Sequence, residues 1–290
     1  MKTNYIIFDL EWNNTYNYKL NKGMNEIVEI GAIKLNENLE IKDTFKQLIK
    51  PTVSKKLDSR FKRLTHITME EIKASGTDFN TAFSDFSRWC GNEDNVFLSW
   101  SNSDLYTLID NFKRFKNTYN LDFMHKYVDA QSYCMSQIQS TGNNQISLSN
   151  FAELLGIVVD ENNLHRALDD CYITLSCLRK IFDKTKIKSF IQECDNSYFE
   201  RLVFKSFYIT CANYEHFHLY ELELHCPNCN GILKPLHSYE IENKAFKTAT
   251  KCTSCSNKYW TFIRAKRTYD DIVVAKRFVQ INKKRAKSIN

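Results

Sequence analysis

This sequence predicts an α/β fold, a mixed β-sheet flanked by helices, with a small cysteine-bound module towards its C-terminal end. Three observations carry the reading. β-branched and aromatic runs open the chain at residues 5–11, 27–35 and 44–49. Stretches with helical spacing of apolar residues then alternate with a further apolar run at 96–100. Beyond residue 222 the pattern changes to short strands around two Cys-x-x-Cys pairs. Strands before any convincing helix imply that the sheet begins as a meander.

Taken in order, Tyr5-Ile-Ile-Phe-Asp-Leu-Glu11 reads as a strand entering a site. The run at 27–35 is β-branched at four places, and the strand at 44–49 is ended by Pro51. Thr68-Met-Glu-Glu71 is a capping box that opens a short helix. Asp78 precedes Phe79, Ala82, Phe83, Phe86 and Cys90, which share one helical face. After the buried strand at 96–100, Ser103 caps a helix with Leu105, Leu108, Ile109, Phe112 and Phe115 inward. Ser147 opens another, with Leu148, Phe151, Leu154 and Leu155 buried and Gly156 as its stop. The last clear helix runs over 167–182. The expected organisation is therefore an α/β domain at 1–183, a mostly helical connector at 184–221, a cysteine module at 222–265 and a basic segment at 266–290.

The composition, 43% hydrophobic and 13% aromatic over 290 residues, excludes a disordered chain. Seven glycines and three prolines leave little room for flexible linkers. Asp9 and Glu11 interrupt the only apolar run near the start, and nothing approaches the roughly 18 apolar residues of a membrane span. The expectation is a soluble, cytoplasmic protein without a membrane partner. The net charge of +6 is unevenly placed: from Arg264 onward nine Lys/Arg face only Asp270 and Asp271. That excess is either a solvated tail or a contact to a polyanion.

Asp9 and Glu11 stand two apart on a strand, so both carboxylates point to one face while Phe8 and Leu10 point to the other. Adjacent acids repel each other unless a cation lies between them, and oxygen ligands suit a hard divalent ion such as Mg²⁺. A solvated strand face is the plainer explanation, and the flanking apolar run argues against it. Asp104 follows the strand at 96–100, at a strand end where sites gather, although a first-turn acid can simply serve the helix dipole. Asp170 lies early in the last helix, five residues after His165, with Asp169 as the alternative acid.

Phe-Asp-Leu-Glu-Trp at 8–12, Asn-Glu-Ile-Val-Glu-Ile-Gly at 25–31, Ser-Asp-Leu at 103–105 and His-Arg-Ala-Leu-Asp-Asp at 165–170 resemble, in this order, the DEDDh branch of the DnaQ-like 3′–5′ exonucleases. The resemblance covers residues 4–182. Leu64-Thr-His-Ile-Thr68 is similar to the family's segment after the third strand, with His66 where glycine is common. Asp129-Ala-Gln131 and residues 148–156 resemble its later segments. What the resemblance implies is an RNase H-like domain and a two-metal phosphodiesterase. Asp9, Glu11, Asp104 and Asp170 would hold two Mg²⁺ or Mn²⁺, and His165 would be the general base. On this reading Asp9 bridges the ions, Glu11 and Asp170 complete one site, and Asp104 serves the other partly through water. Trp12 could stack on the terminal base or be a rim tryptophan, and His66 could touch the 3′ end.

Cys226-Pro-Asn-Cys229 and Cys252-Thr-Ser-Cys255 have the spacing for one tetrahedral Zn²⁺, and with the alternating strands between them they resemble a zinc ribbon. Four thiolates leave no open position for water, so the zinc is expected to be structural. His225 and His237 are candidates to substitute as ligands, although four cysteines are the better reading. The six other cysteines are scattered and read mostly as small hydrophobes. The leading expectation is an exonuclease on single-stranded RNA or DNA, with RNA slightly preferred from the resemblance. Lys276, Arg277, Lys283, Lys284 and Arg285 would hold the strand. The alternatives are a non-catalytic adaptor that binds nucleic acid or a protein partner through the ribbon, and a ribbon-based regulator with incidental nuclease activity. The intact acidic set argues against the adaptor.

Overall fold

β1 (Asn4–Asn17) is buried on both faces along its first five residues, and so needs packing elements on each side. The computed structural model describes residues 3–18, 21–138, 145–159 and 165–281. They fall into two units, Met1–Val203 and Phe204–Asn290, each treated by itself. In the first, β1 forms an antiparallel meander with β2 (Lys22–Leu35) and β3 (Ile41–Leu48). β4 (Asn95–Ser99) and β5 (Lys126–Asp129) add in parallel on the other side, and the two-residue β6 (Gln192–Glu193) closes the edge antiparallel. The order β3-β2-β1-β4-β5-β6 is the mixed sheet of an RNase H-like fold.

The helices begin where short polar side chains can satisfy free backbone N–H groups. Asp58 caps α1 (Ser59–Thr65), Thr68 caps α2 (Met69–Ser75) and Asp78 caps α3 (Phe79–Cys90). α4 (Ser103–Phe115) starts after Asn102, so Ser103 is its first residue rather than its cap. Asp129 caps α5 (Ala130–Gln137) and Ser147 caps α6 (Leu148–Leu154). α7 (Ala167–Ile181) follows Arg166, and α8 (Asn196–Val203) ends the unit. No helix among the described residues is long and apolar enough to cross a membrane.

Period-two alternation in β1 divides the core. Ile6, Phe8 and Leu10 face α3 and α4, where Phe79, Phe83, Phe86, Leu105 and Phe112 complete one layer. Tyr5 and Ile7 face the opposite way, onto Tyr133, Phe151, Cys171, Leu175 and Leu178 from α5, α6 and α7. Full burial of each of these large side chains contributes roughly 1.5–3 kcal/mol. The inward face of α6 takes Ala152 in place of Leu154, which is 60% exposed because the helix ends at that residue. Cys90, Cys134, Cys171, Cys177 and Cys194 are buried and unpaired, whereas Cys211 is exposed.

The segment expected to be a mostly helical connector at 184–221 is something else. It holds a 3-10 turn at Ile187–Phe190, then β6 and α8, and crosses the unit boundary before turning to strands. Those strands are β7 (Phe207–Ile209), β8 (Asn213–Tyr214) and β9 (Phe217–His218). The second unit is completed by β10 (Leu233–Pro235), β11 (Glu240–Glu242), β12 (Ala245–Cys252), β13 (Lys258–Arg267) and β14 (Ile272–Gln280). β14 pairs with β13 along its length, so residues 272–280 of the segment expected as a basic extension at 266–290 are an edge strand of the cysteine module. Lys283, Lys284 and Arg285 lie outside the described residues.

Gly31 sits at the closest approach of helix to sheet. A Cβ there would fall 2.2 Å from the backbone nitrogen of Leu168, so α7 rests directly on β2. Gly31→Ala is expected to lower the unfolding free energy by about 1–3 kcal/mol through overpacking. Gly23→Ala, where no atom lies within 4 Å, should stay within about 0.5 kcal/mol of the unmodified chain. Urea denaturation of the two variants measures the contrast, and equal midpoints would show that α7 does not depend on this contact.

Candidate active site

Asp9 and Glu11 project from β1 towards α7, whose first turn brings up Asp170. One carboxylate oxygen from each of the three lies within 4.8 Å of the others. Asp170, not Asp169, is the α7 acid in this group. Asp104, at the start of α4, is 4% exposed and stands outside the three; its Oδ1 accepts the Leu10 N–H at 3.1 Å. That bond ties the start of α4 to the backbone between Asp9 and Glu11.

The electrostatics of the group are adverse. Burial, then Asp104, Asp170, Glu11 and Glu29, hold the Asp9 carboxyl well above the usual carboxylate range. Burial, then Asp170, Glu29 and Asp104, push Glu11 up to about 9 against a lowering by Arg166. Burial raises Asp104 to about 7, opposed by the Leu10 N–H. Burial also raises Asp170 to about 6, opposed by the His165 backbone N–H. Four carboxyls this close cannot all ionise near neutral pH without cations. An all-oxygen donor set fits hard divalent ions such as Mg²⁺ or Mn²⁺.

A buried ion pair holds the elements together against this repulsion. Glu29 on β2, opposite Glu11, is fully buried. Arg166 donates to both of its oxygens, at 3.1 Å from Nε and 2.7 Å from Nη2, and the Ala167 N–H adds a third donor at 3.1 Å. Arg166 also reaches Glu71 of α2 at 3.1 Å. Leaving Glu29 buried without its partner would cost on the order of 3–5 kcal/mol. Glu29, Arg166 and Gly31 lay within quoted motifs, but their joint role was missed. Glu29 is 137 residues from Arg166, and only the crowding of α7 onto Gly31 reveals the contact.

His165, half-buried with φ +67°, precedes α7 and lines an open cleft of about 720 Å³ with His66, Arg63, Asn150 and Glu153. Burial, then the neighbouring His66, lower its pKa. His66 is itself left-handed at φ +57°, ending α1, which explains how it stands where glycine is common. Trp12 follows Glu11 across a bulge in which Val28 of β2 is the extra residue, and it packs at the rim of the α3–α4 layer. Lys276 and Arg277 lie in β14 of the second unit, where Lys276 Nζ donates to the Glu223 carbonyl at 2.8 Å.

A family model for exonucleases, RNase_T, matches residues 6–178. The chain belongs to this exonuclease family. It is a hydrolase of phosphodiester bonds, and its first unit carries the fold of the DEDDh enzymes. The nuclease domain of 3′hExo, a DEDDh family member bound to rAMP, is 20% identical with a TM-score of 0.54, covering 66% of this exonuclease and 97% of that chain. A 3′-exonuclease described by its 3′-end specific recognition of histone mRNA stem-loop is 19% identical with a TM-score of 0.53, over 61% of this chain and 62% of that one. E. coli exonuclease I in complex with a dT13 oligonucleotide is 14% identical with a TM-score of 0.51, over 85% of this chain and 55% of that one. No curated protein sequence matches.

In the second unit, Cys226, Cys229, Cys252 and Cys255 bring their sulfurs within 4.8 Å of one another. The Ser254 and Cys255 N–H groups point at Cys252 Sγ, each at 3.4 Å, and the Tyr259 hydroxyl lies 3.3 Å from Cys226 Sγ. Burial opposes ionisation of Cys226, but bonds from Tyr259 and the backbone outweigh it and draw the thiol down to about 6. The arrangement is that of a zinc ribbon. His225 and His237 are not among the grouped ligands; His225 instead faces Glu223 at 3.6 Å.

The raised carboxyls have a signature in stability. A carboxyl whose folded pKa is raised favours the fold fully below its unfolded value, and that contribution is lost as pH rises through the folded value. For Asp170, Asp104 and Glu11 the loss spans about 6, 7 and 9. Without added divalent ions, the exonuclease unit should melt at a lower temperature at about pH 8 than at about pH 5.5, and Mg²⁺ should raise the melting temperature more at the higher pH. Calorimetry with and without MgCl₂ tests this; an equal Mg²⁺ gain at both pH values would contradict it.

Proposed function

We propose that the chain removes nucleotides from the 3′ end of single-stranded nucleic acid, RNA slightly preferred over DNA, with two divalent ions. The convergence of Asp9, Glu11 and Asp170 from a strand and a helix far apart in sequence is the observation that carries this. Their mutual repulsion, and that of Asp104, is what a pair of cations would relieve. The similar structure with dT13 supports a single-stranded substrate, and the one with rAMP keeps both sugars open.

On this reading Asp9, Glu11, Asp104 and Asp170 hold Mg²⁺ or Mn²⁺. When bound, the ions supply Lewis-acid activation of the attacking water and neutralise charge on the leaving oxygen. His165 takes the proton from that water at an unprotonated imidazole nitrogen, and its lowered pKa keeps the ring neutral below the usual range. His165, at positive φ just before α7, is among the residues that line the cleft. Trp12 and His66 would line the path of the 3′ nucleotide. Lys276 and Arg277, with Lys283, Lys284 and Arg285 beyond the described residues, would attract the phosphate backbone. The four ribbon cysteines hold one structural Zn²⁺.

End-labelled RNA and DNA oligomers incubated with Mg²⁺ or Mn²⁺ and resolved by length should shorten stepwise from the 3′ end. Asp9→Asn, Glu11→Gln and Asp170→Asn should each abolish shortening with the fold retained. Near-unmodified turnover by Asp9→Asn in Mg²⁺ would overturn the metal assignment. His165→Ala should slow turnover by about 10²–10⁴-fold without weakening binding. In the unmodified enzyme, the rate should decline only below about pH 6.5. A flat profile through that range, with chemistry rate-limiting, would remove His165 from the base role.

The zinc has a separate measurement. Elemental analysis should find one zinc per chain, lost on Cys226→Ser together with the folding of the second unit, since structural zinc contributes folding energy directly. A zinc-free protein with that unit still folded would refute the assignment.

A further inference from the structure

The ribbon module has a second face that its metal site does not use. Along β13, Tyr259, Thr261, Ile263 and Ala265 are buried, while Lys258, Trp260, Phe262, Arg264 and Lys266 alternate onto the opposite side. The register extends this outer face over three strands. Lys247 of β12 and Arg277 of β14 flank Phe262; Ala249 and Val279 flank Trp260; Lys251 lies opposite Lys258; and Ala275 lies opposite Arg264. Arg277 sits over the Phe262 ring at 4.3 Å, and Lys247 over Trp260 at 5.0 Å. Beside Phe262, the small side chains Ala245 and Ala275 leave a hollow of about 430 Å³ around Arg264.

We infer that this face is a binding platform for single-stranded nucleic acid, on which bases stack against Trp260 and Phe262 while phosphates meet Lys251, Lys258, Arg264 and Arg277. Charge complementarity selects the occupant. Glu242 pairs with Lys247 at 2.6 Å, and it is the only recorded ion pair on this face among the described residues. Glu240 also lies opposite Lys247, whereas Lys251, Lys258, Arg264 and Arg277 have no ion pair among the described residues. Aromatic rings interleaved with such cations offer what a strand needs, a π surface for any base and counter-charge for its backbone. A protein partner would have to desolvate these cations with acids of its own, and the apolar area around two rings is small for that cost. The inference rests on the exonuclease reading for its substrate class, and adds a base-stacking site within the other unit.

The test uses the full zinc-loaded chain. Fluorescence anisotropy with labelled 20-mers of oligouridylate and oligothymidylate, without added Mg²⁺ or Mn²⁺, reads binding. Hydrolysis of the p-nitrophenyl ester of thymidine 5′-phosphate in Mn²⁺ reads the carboxylate site alone, because that ester is too small to engage a second platform. Trp260→Ala and Phe262→Ala should each weaken 20-mer binding by about five- to a hundredfold and leave ester hydrolysis unchanged. Trp260→Phe, which keeps a ring, should retain most of the affinity. The double variant Lys258→Glu with Arg264→Glu changes only exposed side chains; it should also weaken binding and flatten its salt dependence. Unaltered 20-mer affinity in the ring and charge variants would overturn the inference, as would a shift from dimer to monomer in light scattering with affinity unaltered, which would mark a protein interface. Failure to hydrolyse the ester, with ring-dependent 20-mer binding intact, would overturn the exonuclease reading and leave the platform standing.

Discussion

The contact on which the active site depends is the seating of α7 on β2. Gly31 removes the side chain that would hold the helix away, and the Glu29–Arg166 pair draws the helix start down. Without both, Asp170 would stay remote from Asp9 and Glu11, because like charges favour separation. The fold thus uses one buried ion pair to impose a cluster of acids that its own electrostatics oppose. The same pair reaches α2 through Glu71, so the loops around His66 are braced from the same point.

Other buried polar groups do comparable work around the meander. Glu26, 1% exposed, accepts the backbone N–H groups of Thr52, Val53 and Ser54. Asn13 donates to Ser54 and accepts from the Asp58 N–H. A carboxylate that satisfies three adjacent amides fixes the course of a loop that has few apolar anchors of its own. This loop leads into α1 and so sets the position of His66 at its end. Rigid support beneath a repulsive cluster keeps donor atoms in place before any ion arrives, which favours fast and selective occupancy.

Much of the first unit was legible in the sequence because its signals are local. Period two put Asp9 and Glu11 on one face, and Thr68, Asp78 and Ser147 marked helix starts that the structure retains. The paired cysteines were legible for the same reason. What was not legible depends on distance or brevity. Strands of two or three residues, as at 207–218, are too short to show a period. β14 was read as a charged extension because Lys276 and Arg277 interrupt its apolar run, although Ile272, Val273, Val274, Phe278 and Val279 carry a strand signal that could have found it. Asp170 was separated from Asp169 by resemblance alone; helix geometry then brought it to the cluster.

The buried cysteines have a consequence for the chain's chemistry towards electrophiles. Burial pushes the Cys90 and Cys194 thiols up to about 12 and Cys177 to about 11, and Cys134 and Cys171 also rise well beyond the ordinary thiol range. A thiol attacks as its thiolate, so these five are inert while the first unit stays folded. Cys211 is open to reagent, and of the ribbon sulfurs the exposed Cys229 is open when it holds no metal. The pattern of alkylation along a single chain therefore records two separate conditions, the integrity of the nuclease core and the metallation of the ribbon.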